Sequence, residues 1–412
     1  MRNLVMITPM TRWTLIVLVV SLIVSLRYPT KTGRNRLLMP YDWTPPSGLS
    51  SEWDRSMDML SSVLLETSEE GLQSDSDAEP GEESGEGGHL EYDFYRETCP
   101  AAEDIVRKTM TRIYSQHPDA PAALLRLAFH DCFIKGCDAS IFLDDNHGNE
   151  SRSIEKQALP NRTLKGFDKI DLIKSEIEDS CPGIVSCADI LVLATREGVL
   201  LTGGPFYPLS TGRRDSTASY YSEAMAEIPK PDDDITRTLY LFGARGFTER
   251  ETVSLLGGHS IGKIGCDFVR NRLYNFHGTG RPDPTLPSDF LEEIRQRCEV
   301  NGNHSLGNDG SPPMVMTSAT GKTYFPKLAD SISSGASFDG HYYKSLIKGR
   351  GLLYADQQLM GDDTTAGFVR AYASEDDGSS FRLDFARAMM KMSSLNVLTG
   401  LDGRIRRNCS SI

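Results

Sequence analysis

Residues 124–140 read LLRLAFHDCFIKGCDAS, and this stretch decides which fold the chain adopts. If it is helical, Arg126, Phe129 and His130 stand at spacings of i, i+3 and i+4 and share one face. That face combines a fixed cation, a flat apolar wall and a proton acceptor. The stretch also holds apolar side chains that can face a core: Leu124, Leu127 and Ala128. Taken alone, the pattern also suits an ordinary helix end with a hydrogen-bonded histidine and a salt-bridged arginine.

A second histidine lies in TVSLLGGHSIGKIGC, residues 252–266. His259 follows two glycines, which permit a flat ligand to approach the backbone closely. Asp356, in GLLYADQQLM, is a carboxylate that can accept the second N–H of an axial imidazole. A haem iron needs one protein axial ligand and an open face that carries catalytic groups. The three motifs together therefore favour a haem site over the ordinary helix end.

Charge is unevenly distributed along the 412 residues. The formal net charge is −13, of which residues 1–39 contribute +6, residues 40–91 contribute −13 and residues 92–412 contribute −6. The last part is therefore a mildly acidic body without a basic tract. Such a body argues against nucleic acid as a partner.

The first 39 residues predict a targeting segment. TLIVLVVSLIVSL, residues 14–26, is long enough for the apolar part of a signal peptide and short for a membrane span. No small-x-small cleavage site follows it, so an uncleaved signal anchor stays an alternative to a cleaved signal. Residues 40–90 are rich in Ser, Gly and acidic residues, which predicts a disordered spacer. Either form of the N-terminus directs the rest of the chain to the secretory route.

Cysteine usage agrees with that route. Eight cysteines are scattered along the chain: Cys99, Cys132, Cys137, Cys181, Cys187, Cys266, Cys298 and Cys409. An even number with wide spacing suits four disulfides in an oxidising compartment, and eight buried thiols in a cytosolic enzyme are the alternative. Zinc fits less well, because the chain has no CxxC or HxxxH pair.

From residue 91 onward, amphipathic segments alternate with Gly, Pro and Asp. Ten segments have the apolar period of helices: 101–116, 121–132, 166–179, 187–199, 234–244, 249–256, 288–298, 339–348, 364–373 and 379–393. The sequence Thr248-Glu249-Arg250-Glu251 is a capping box before one of them. Alternating runs of β-branched residues are scarce. The pattern predicts one mainly α domain over residues 91–412, in two halves around a cleft.

With these motifs in place, the chain from about residue 90 to 412 resembles the secreted class III plant haem peroxidases. The matching stretches, in the family's order, are FYRETCP, LLRLAFHDCFIKGCDASIFLDD, EKQALPN, GFDKID, CPGIVSCADIL, GGP, GRRD, LLGGHSIGKIGC, FDGHYY, GLLYADQQL, FARAMMKMSSLNVLTG and GRIRRNC. The resemblance implies the plant haem-peroxidase fold, of ten or more helices around a haem cleft, with one haem b and two Ca²⁺ ions.

The resemblance also implies an activity. The enzyme would reduce hydrogen peroxide to water while it oxidises phenolic or other small aromatic donors in one-electron steps. The alternative is a secreted scaffold that binds haem or calcium without significant turnover. No catalytic position of the family is substituted, which favours the enzyme.

Individual roles follow from the resemblance. On the distal side, His130 becomes the acid–base residue, Arg126 the cation that polarises the O–O bond, and Phe129 the wall. Asn161 would keep His130 basic through a hydrogen bond, with Glu155 in the same network. The proximal and donor-binding residues are the iron ligand His259, its hydrogen-bond partner Asp356, and Pro229 at the aromatic-donor site.

Two calcium sites and four disulfides belong to the same pattern. The distal calcium site would use Asp131, the Ile134 carbonyl, Gly136, Asp138 and Ser140. The proximal site would use Ser260, Asp330 and Asp339. These two aspartates stand nine apart where the family has eight, and no Thr-Pro lies between them. The disulfides, in family order, would be Cys99–Cys181, Cys132–Cys137, Cys187–Cys409 and Cys266–Cys298.

Further expectations concern the surface. Residues 299–337 form a polar insertion relative to the family, which predicts a surface loop. Of four glycosylation sequons, those at Asn149 and Asn303 should be usable, Asn408 is hindered by Cys409, and Asn161 should stay bare.

We expect a monomer that is secreted to the cell wall, or held by a membrane anchor with its domain facing the lumen or the exterior.

Overall fold

Helices make up most of the computed structural model, which describes residues 89–144, 154–299, 331–375 and 378–412. Thirteen α-helices occur in these ranges: α1 Ala102–Gln116, α2 Ala120–Phe133, α3 Phe167–Ser180, α4 Cys187–Leu201, α5 Tyr221–Glu227, α6 Ile235–Gly243, α7 Glu249–Leu256, α8 Arg270–Tyr274, α9 Ser288–Glu299, α10 His341–Ile347, α11 Tyr354–Gln358, α12 Asp363–Ser374 and α13 Ser379–Ser393. Four short strands accompany them: β1 Glu91–Tyr92, β2 Ser210–Thr211, β3 Gly262–Gly265 and β4 Ser331–Gly335. The prediction of a mainly α fold is confirmed.

The ten segments predicted as helical all contain a helix, and the ends differ by no more than two residues. The capping box before α7 is present, because the Thr248 hydroxyl accepts from the Glu251 N–H while the Glu251 carboxylate accepts from the Thr248 N–H. The sequence did not indicate α5, α8 and α11, which have only five to seven residues. Helices this short show little apolar periodicity, although α10, which also has seven residues, lies within a predicted segment.

Helix α4 lies at the centre of the hydrophobic core. Its residues 187–199 are all buried, and it packs against α1, α2 and α3. Ser186 caps its N-terminus by accepting a hydrogen bond from the Asp189 N–H at 3.1 Å. Leu124 and Leu127 of α2 are fully buried, and each contributes about 1.5–3 kcal/mol by leaving water. This packing positions α2, the helix that carries Arg126, Phe129 and His130.

A second group of helices, α7, α10, α12 and α13, packs around aromatic side chains. These are Phe338, Tyr343, Tyr372, Phe381 and Phe385. The ring centroids of Phe338 and Phe385 are 4.6 Å apart. Helix α13 also packs against α2, so the two groups share one core.

Two short antiparallel ladders complete the fold. β1 pairs with β2, and β3 pairs with β4, where Ile264 lies opposite Ile332. The second ladder differs from the surface loop predicted for residues 299–337: residues 331–335 form a strand, while 300–330 lie outside the described residues. Neither GKIG nor SISSG shows the apolar alternation that predicts a strand. Buried Ile332 instead joins a small cluster beside the Cys266–Cys298 disulfide.

Four disulfides link the described residues, and they are the pairs that the resemblance implies: Cys99–Cys181, Cys132–Cys137, Cys187–Cys409 and Cys266–Cys298. The Cys187–Cys409 bridge ties the start of α4 to the end of the chain across 222 residues. Long closures of this kind restrict the unfolded chain most strongly.

Within the described ranges, no helix combines the length and apolar character that a membrane crossing requires. The predicted targeting segment 1–39 lies outside those ranges, as does the predicted spacer 40–90 apart from its last two residues.

Asp189 of α4 and Arg213 form an ion pair whose side chains are completely buried. Arg213 Nη1 donates to Asp189 Oδ1 at 2.6 Å, and its Nε and Nη2 donate to the Ser393 carbonyl at the end of α13. The other Asp189 oxygen accepts from the Tyr95 hydroxyl and from the Gly212 N–H, both at 2.7 Å. The ion pair and its hydrogen-bond partners therefore join Tyr95, α4, the turn after β2 and the end of α13.

Replacing Asp189 with asparagine should lower the free energy of unfolding by about 3–5 kcal/mol, because the buried Arg213 guanidinium loses its counter-charge. The matched control is Lys108→Gln, which breaks an ion pair with Asp104 on the surface and should cost less than about 1 kcal/mol. Denaturant unfolding followed by circular dichroism measures both changes. Equal stability of the two variants would contradict the role of the Asp189–Arg213 pair.

Candidate active site

The imidazole of His130 projects from α2 into a buried hydrogen-bond network. Its Nδ1 lies 2.7 Å from Asn161 Oδ1, and Asn161 Nδ2 donates to the main-chain carbonyl of Glu155 at 2.8 Å. Because the Asn161 amide nitrogen is engaged, its oxygen accepts and His130 Nδ1 is the donor. This tautomer leaves the lone pair of His130 on Nε2.

Burial lowers the pKa of His130 to about 3, and the positive charge of Arg126 acts in the same direction against the hydrogen bond to Asn161. The imidazole is therefore neutral at neutral pH and able to take a proton at Nε2. Glu155 takes part in the network through its main-chain carbonyl. Its carboxylate accepts instead from the Tyr220 N–H at 3.4 Å.

The guanidinium of Arg126 is held by the same short segment that holds His130. Nη1 donates to the Thr163 hydroxyl and Nη2 to the Pro160 carbonyl, each at 3.0 Å. Burial lowers the pKa of Arg126 to about 10, so it stays a cation at neutral pH. Residues 160–163, which include Asn161, thus orient both polar groups. The sequence analysis assigned only Asn161 in this segment and missed the two partners of Arg126.

Phe129 forms the apolar wall beside these groups. Its ring centroid lies 5.7 Å from that of His130 in an edge-on arrangement. On its other sides it packs against Phe133 at 4.7 Å and Phe242 at 5.9 Å. The spacing predicted from the sequence therefore brings Arg126, Phe129 and His130 to one region.

His259 lies in the turn Gly257–Ser260 that follows α7. Its Nδ1 donates to Asp356 Oδ1 at 2.8 Å. Burial opposes protonation, but the Asp356 carboxylate outweighs it and raises the pKa of His259. Nε2 makes no hydrogen bond within the described residues, and 44% of the His259 side chain remains accessible. This nitrogen is therefore available as a metal ligand.

The glycines before His259 allow close packing on both sides of the turn. A Cβ on Gly257 would lie 2.2 Å from the Tyr343 hydroxyl, a contact that only glycine avoids. A Cβ on Gly258 would lie 3.2 Å from Leu125 of α2. The charge of Arg126 also lowers the pKa of both His130 and His259. Helix α2 and the turn that carries His259 therefore lie close to each other.

Tyr342 is a site residue that the sequence analysis missed. Its hydroxyl donates to the same Asp356 Oδ1 that accepts from His259, at 3.0 Å. Burial, followed by the Asp356 charge, raises the pKa of Tyr342 well above its ordinary value, so the phenol keeps its proton. The FDGHYY stretch matched the family, but no local pattern indicates that this tyrosine reaches a carboxylate 14 residues away.

The predicted distal calcium residues lie together in a buried loop that the Cys132–Cys137 disulfide closes. Asp131 Oδ2 accepts from the Ala139 N–H at 3.0 Å, and Asp138 Oδ1 accepts from the Ser140 N–H at 2.9 Å. The Ser140 hydroxyl makes no hydrogen bond within the described residues. The remaining predicted members of the loop are also placed here, at the end of α2 and directly after it: Ile134 and Gly136.

This donor set fits a calcium ion, which prefers carboxylate, hydroxyl and carbonyl oxygens. Burial and the neighbouring Asp138 charge raise the pKa of Asp131, and burial together with both aspartates raises that of Glu155. Buried carboxylates that crowd in this way are stabilised by a cation. The described part of the chain holds no group of three His, Cys, Asp or Glu suited to a metal. An ion in this loop would therefore need hydroxyl and carbonyl ligands beside the two aspartates.

The remaining predicted residues belong to the proximal calcium site and to the aromatic-donor site. Of the three proximal calcium residues, Asp339 is hydrogen-bonded to Ser337 and His341. The buried Ser260 hydroxyl makes no hydrogen bond in the described chain. Asp330 lies outside the described residues. Pro229 is partly exposed in the segment after α5, and its role stays a prediction.

Comparisons with known proteins agree with this geometry. A family model described as Peroxidase matches residues 106–375. Putative Peroxidase 48 of Arabidopsis thaliana is 48% identical over 343 residues, which covers 78% of this chain and 82% of that protein. Peroxidase 57 of Arabidopsis thaliana is 39% identical, with 78% and 91% covered. Peroxidase N1 of Nicotiana tabacum is 38% identical, with 77% and 89% covered.

The family match spans both histidines and their acceptors, because His130, Asn161, His259 and Asp356 all fall within residues 106–375. Proteins of this family bind haem, use hydrogen peroxide and oxidise small donors. The chain belongs to the plant peroxidase family, and it is a haem peroxidase.

Proposed function

We propose that His259 binds the haem iron through Nε2 and that Asp356 makes this ligand electron-rich. The observation that carries the proposal is the 2.8 Å bond from His259 Nδ1 to a carboxylate that is 2% exposed. Such a partner fixes the tautomer, orients the ring and increases its basicity. Tyr342 shares the same oxygen and thereby limits how much negative charge Asp356 places on the imidazole. When bound, the haem supplies the redox chemistry that takes two electrons from small donors.

His130 is proposed as the group that moves the peroxide proton. Its Nε2 carries the lone pair because Nδ1 donates to Asn161. Nε2 takes the proton from one peroxide oxygen and returns it to the other, which leaves as water. The Arg126 cation is held in place by the Pro160 carbonyl and the Thr163 hydroxyl. It stabilises the negative charge that develops on the leaving oxygen.

The proposed donors are phenols or other small aromatic molecules, with Pro229 at their binding site. This assignment rests on the family pattern and on the partial exposure of Pro229. We also propose a monomer with no nucleic-acid partner, in accord with the mildly acidic body. Nothing in the structure favours the scaffold without turnover, because the distal histidine, arginine and asparagine are all present and hydrogen-bonded.

Replacing His130 with alanine should leave haem bound but slow the reaction with hydrogen peroxide by about 10²–10⁴-fold, because the proton loses its acceptor. Arg126→Leu should also slow this step. Replacing His259 with alanine should instead remove stable haem binding. Stopped-flow absorbance in the Soret region measures both haem content and reaction rate.

The control for these variants is His117→Ala, which changes an exposed histidine at the end of α1. It should keep the parent haem content and rate. If His130→Ala reacted with peroxide at the parent rate, the proposed acid–base role would be wrong. If His259→Ala kept a normal Soret band, another residue would be the iron ligand.

We further propose that the loop of Asp131, Asp138 and Ser140 binds one Ca²⁺. A ligand that binds only the folded state stabilises it by about 2.7 kcal/mol at 100 times its Kd. Calcium removal by a chelator should therefore lower Tm, and calcium should restore it. Asp138→Asn should abolish this calcium-dependent rise, whereas Asp267→Asn, an exposed carboxylate, should keep it. A calcium response of parent size in Asp138→Asn would exclude the loop as the site.

Residues 1–39 are proposed to direct the chain into the secretory route, as a cleaved signal or as an anchor, ahead of an acidic spacer over residues 40–90. Peptide mass spectrometry of the protein expressed in plant cells should find glycan on Asn149 or Asn303. Asn161 should stay bare, because it is 3% exposed and bonded to His130. Carbonate extraction of membranes then distinguishes a soluble form from an anchored one.

Glycan on any sequon would demonstrate passage through the lumen of the endoplasmic reticulum. Active protein with a highly occupied Asn161 would contradict the role of this side chain. Protein recovered only from the cytosol, with all four sequons bare, would contradict the secretory route.

A further inference from the structure

Three tyrosine rings follow one another from the turn that carries His259 towards α13. The ring centroid of Tyr342 lies 6.3 Å from that of His259 and 5.0 Å from that of Tyr343. The centroids of Tyr343 and Tyr372 are also 5.0 Å apart. Aromatic rings at these separations are in contact. Tyr342, Tyr343 and Tyr372 therefore form a continuous row of oxidisable rings, the tyrosine chain, which begins beside the proposed iron ligand.

The first two phenols of the tyrosine chain have poor acceptors for a proton. Tyr342 donates to Asp356 Oδ1, the oxygen that also accepts from His259 Nδ1. A proton on this oxygen would displace the His259 N–H. Tyr343 donates to the main-chain carbonyl of Val253 at 3.1 Å, and a peptide carbonyl is too weak a base to take a proton.

Tyr372, at the far end of the tyrosine chain, has a better acceptor. Its hydroxyl donates to Asp384 Oδ2 on α13 at 2.6 Å, the length of a strong hydrogen bond to a carboxylate. Arg250 Nε donates to the same oxygen at 2.7 Å, and the Arg250 side chain is 54% exposed. Asp384 therefore lies between a buried phenol and a cation that reaches the solvent.

Apolar packing encloses the far part of the tyrosine chain. Tyr343 and Tyr372 are at most 1% exposed, and the Phe381 ring contacts both, with centroids 5.0 and 6.0 Å away. Burial raises the pKa of Tyr343 well above its ordinary value, and burial followed by the hydrogen bond to Asp384 raises the pKa of Tyr372. Both phenols are therefore protonated at rest. A ring that is oxidised here must pass its proton to its hydrogen-bond partner.

We propose that Tyr372 is a second redox site of this enzyme, which holds an oxidising equivalent outside the haem pocket. The proposal rests on His259 as the proposed iron ligand, because peroxide reduction at the haem supplies the oxidant. One of the two electrons that hydrogen peroxide takes comes from the Tyr372 ring and passes through Tyr343 and Tyr342. The phenolic proton moves to Asp384 Oδ2, which leaves a neutral phenoxyl radical beside a carboxylic acid. One electron from a small donor and the returning proton restore the phenol.

Electron paramagnetic resonance of the haem-loaded full chain tests the proposal. Protein with ring-deuterated tyrosine and unlabelled protein are each mixed with one equivalent of hydrogen peroxide, without a donor, and frozen rapidly. We expect a radical signal whose splittings change with the label, which identifies a tyrosine. Tyr372→Phe keeps the ring and removes the hydroxyl, and it should lose this signal. Tyr343→Phe should weaken the signal, because phenylalanine is much harder to oxidise and interrupts the route.

Two tyrosines outside the chain provide matched controls. Tyr207 is buried and Tyr240 on α6 is exposed, and Tyr207→Phe and Tyr240→Phe should both keep the parent signal. Asp384→Asn should shift the largest g value of the radical, because this value depends on the hydrogen bond to the phenoxyl oxygen. An unchanged signal in Tyr372→Phe would place the radical on another residue and overturn the proposal.

The Soret band separates failure of this proposal from failure of the proposed function. A parent whose Soret band does not respond to peroxide would contradict both. A parent whose Soret band responds while no tyrosine radical forms would overturn only the role of Tyr372. Circular dichroism shows whether each variant folds. If Tyr372→Phe does not fold, Tyr343→Phe still decides the matter, because an undiminished signal in that variant would overturn the route.

Discussion

The buried ion pair of Asp189 and Arg213 is the interaction on which the rest of the structure depends. Two fully buried charges are unfavourable unless every polar atom is satisfied, and here the partners come from α4, Tyr95 and the end of α13. Helix α4 supports α2, and α13 packs against α7. The pair therefore fixes the separation of the two helix groups that carry His130 and His259.

The two histidines have opposite protonation preferences, and their hydrogen-bond partners explain the difference. His130 faces a neutral amide and the Arg126 cation, and its pKa is lowered. His259 faces the Asp356 carboxylate, and its pKa is raised. A proton carrier between two peroxide oxygens must begin neutral, whereas an electron-rich iron ligand benefits from a neighbouring negative charge. One residue type thus suits the two proposed roles, because each ring donates Nδ1–H to a different acceptor.

The sequence predicted what depends on local pattern and missed what depends on contacts between distant segments. Helices of eight residues or more have a readable period, and the i, i+3, i+4 spacing correctly grouped Arg126, Phe129 and His130. Arg126 bonds to the Pro160 carbonyl and the Thr163 hydroxyl, and Tyr342 bonds to Asp356. Only the folded chain brings these groups close together. The β3–β4 ladder escaped prediction because its strands hold one apolar residue each and pair by main-chain bonds.

The two sides of the proposed haem site are held in place by different contacts. The distal loop gathers Asp131, Asp138 and Ser140, all of which present oxygen, and the proposed Ca²⁺ would bind to these groups together. On the other side, the His341 ring lies between Asp339 and the Ser334 carbonyl, and these two directional contacts fix α10 and β4 relative to each other. Because β4 pairs with β3, which begins three residues after His259, the same contacts restrain the main chain near the proposed iron ligand.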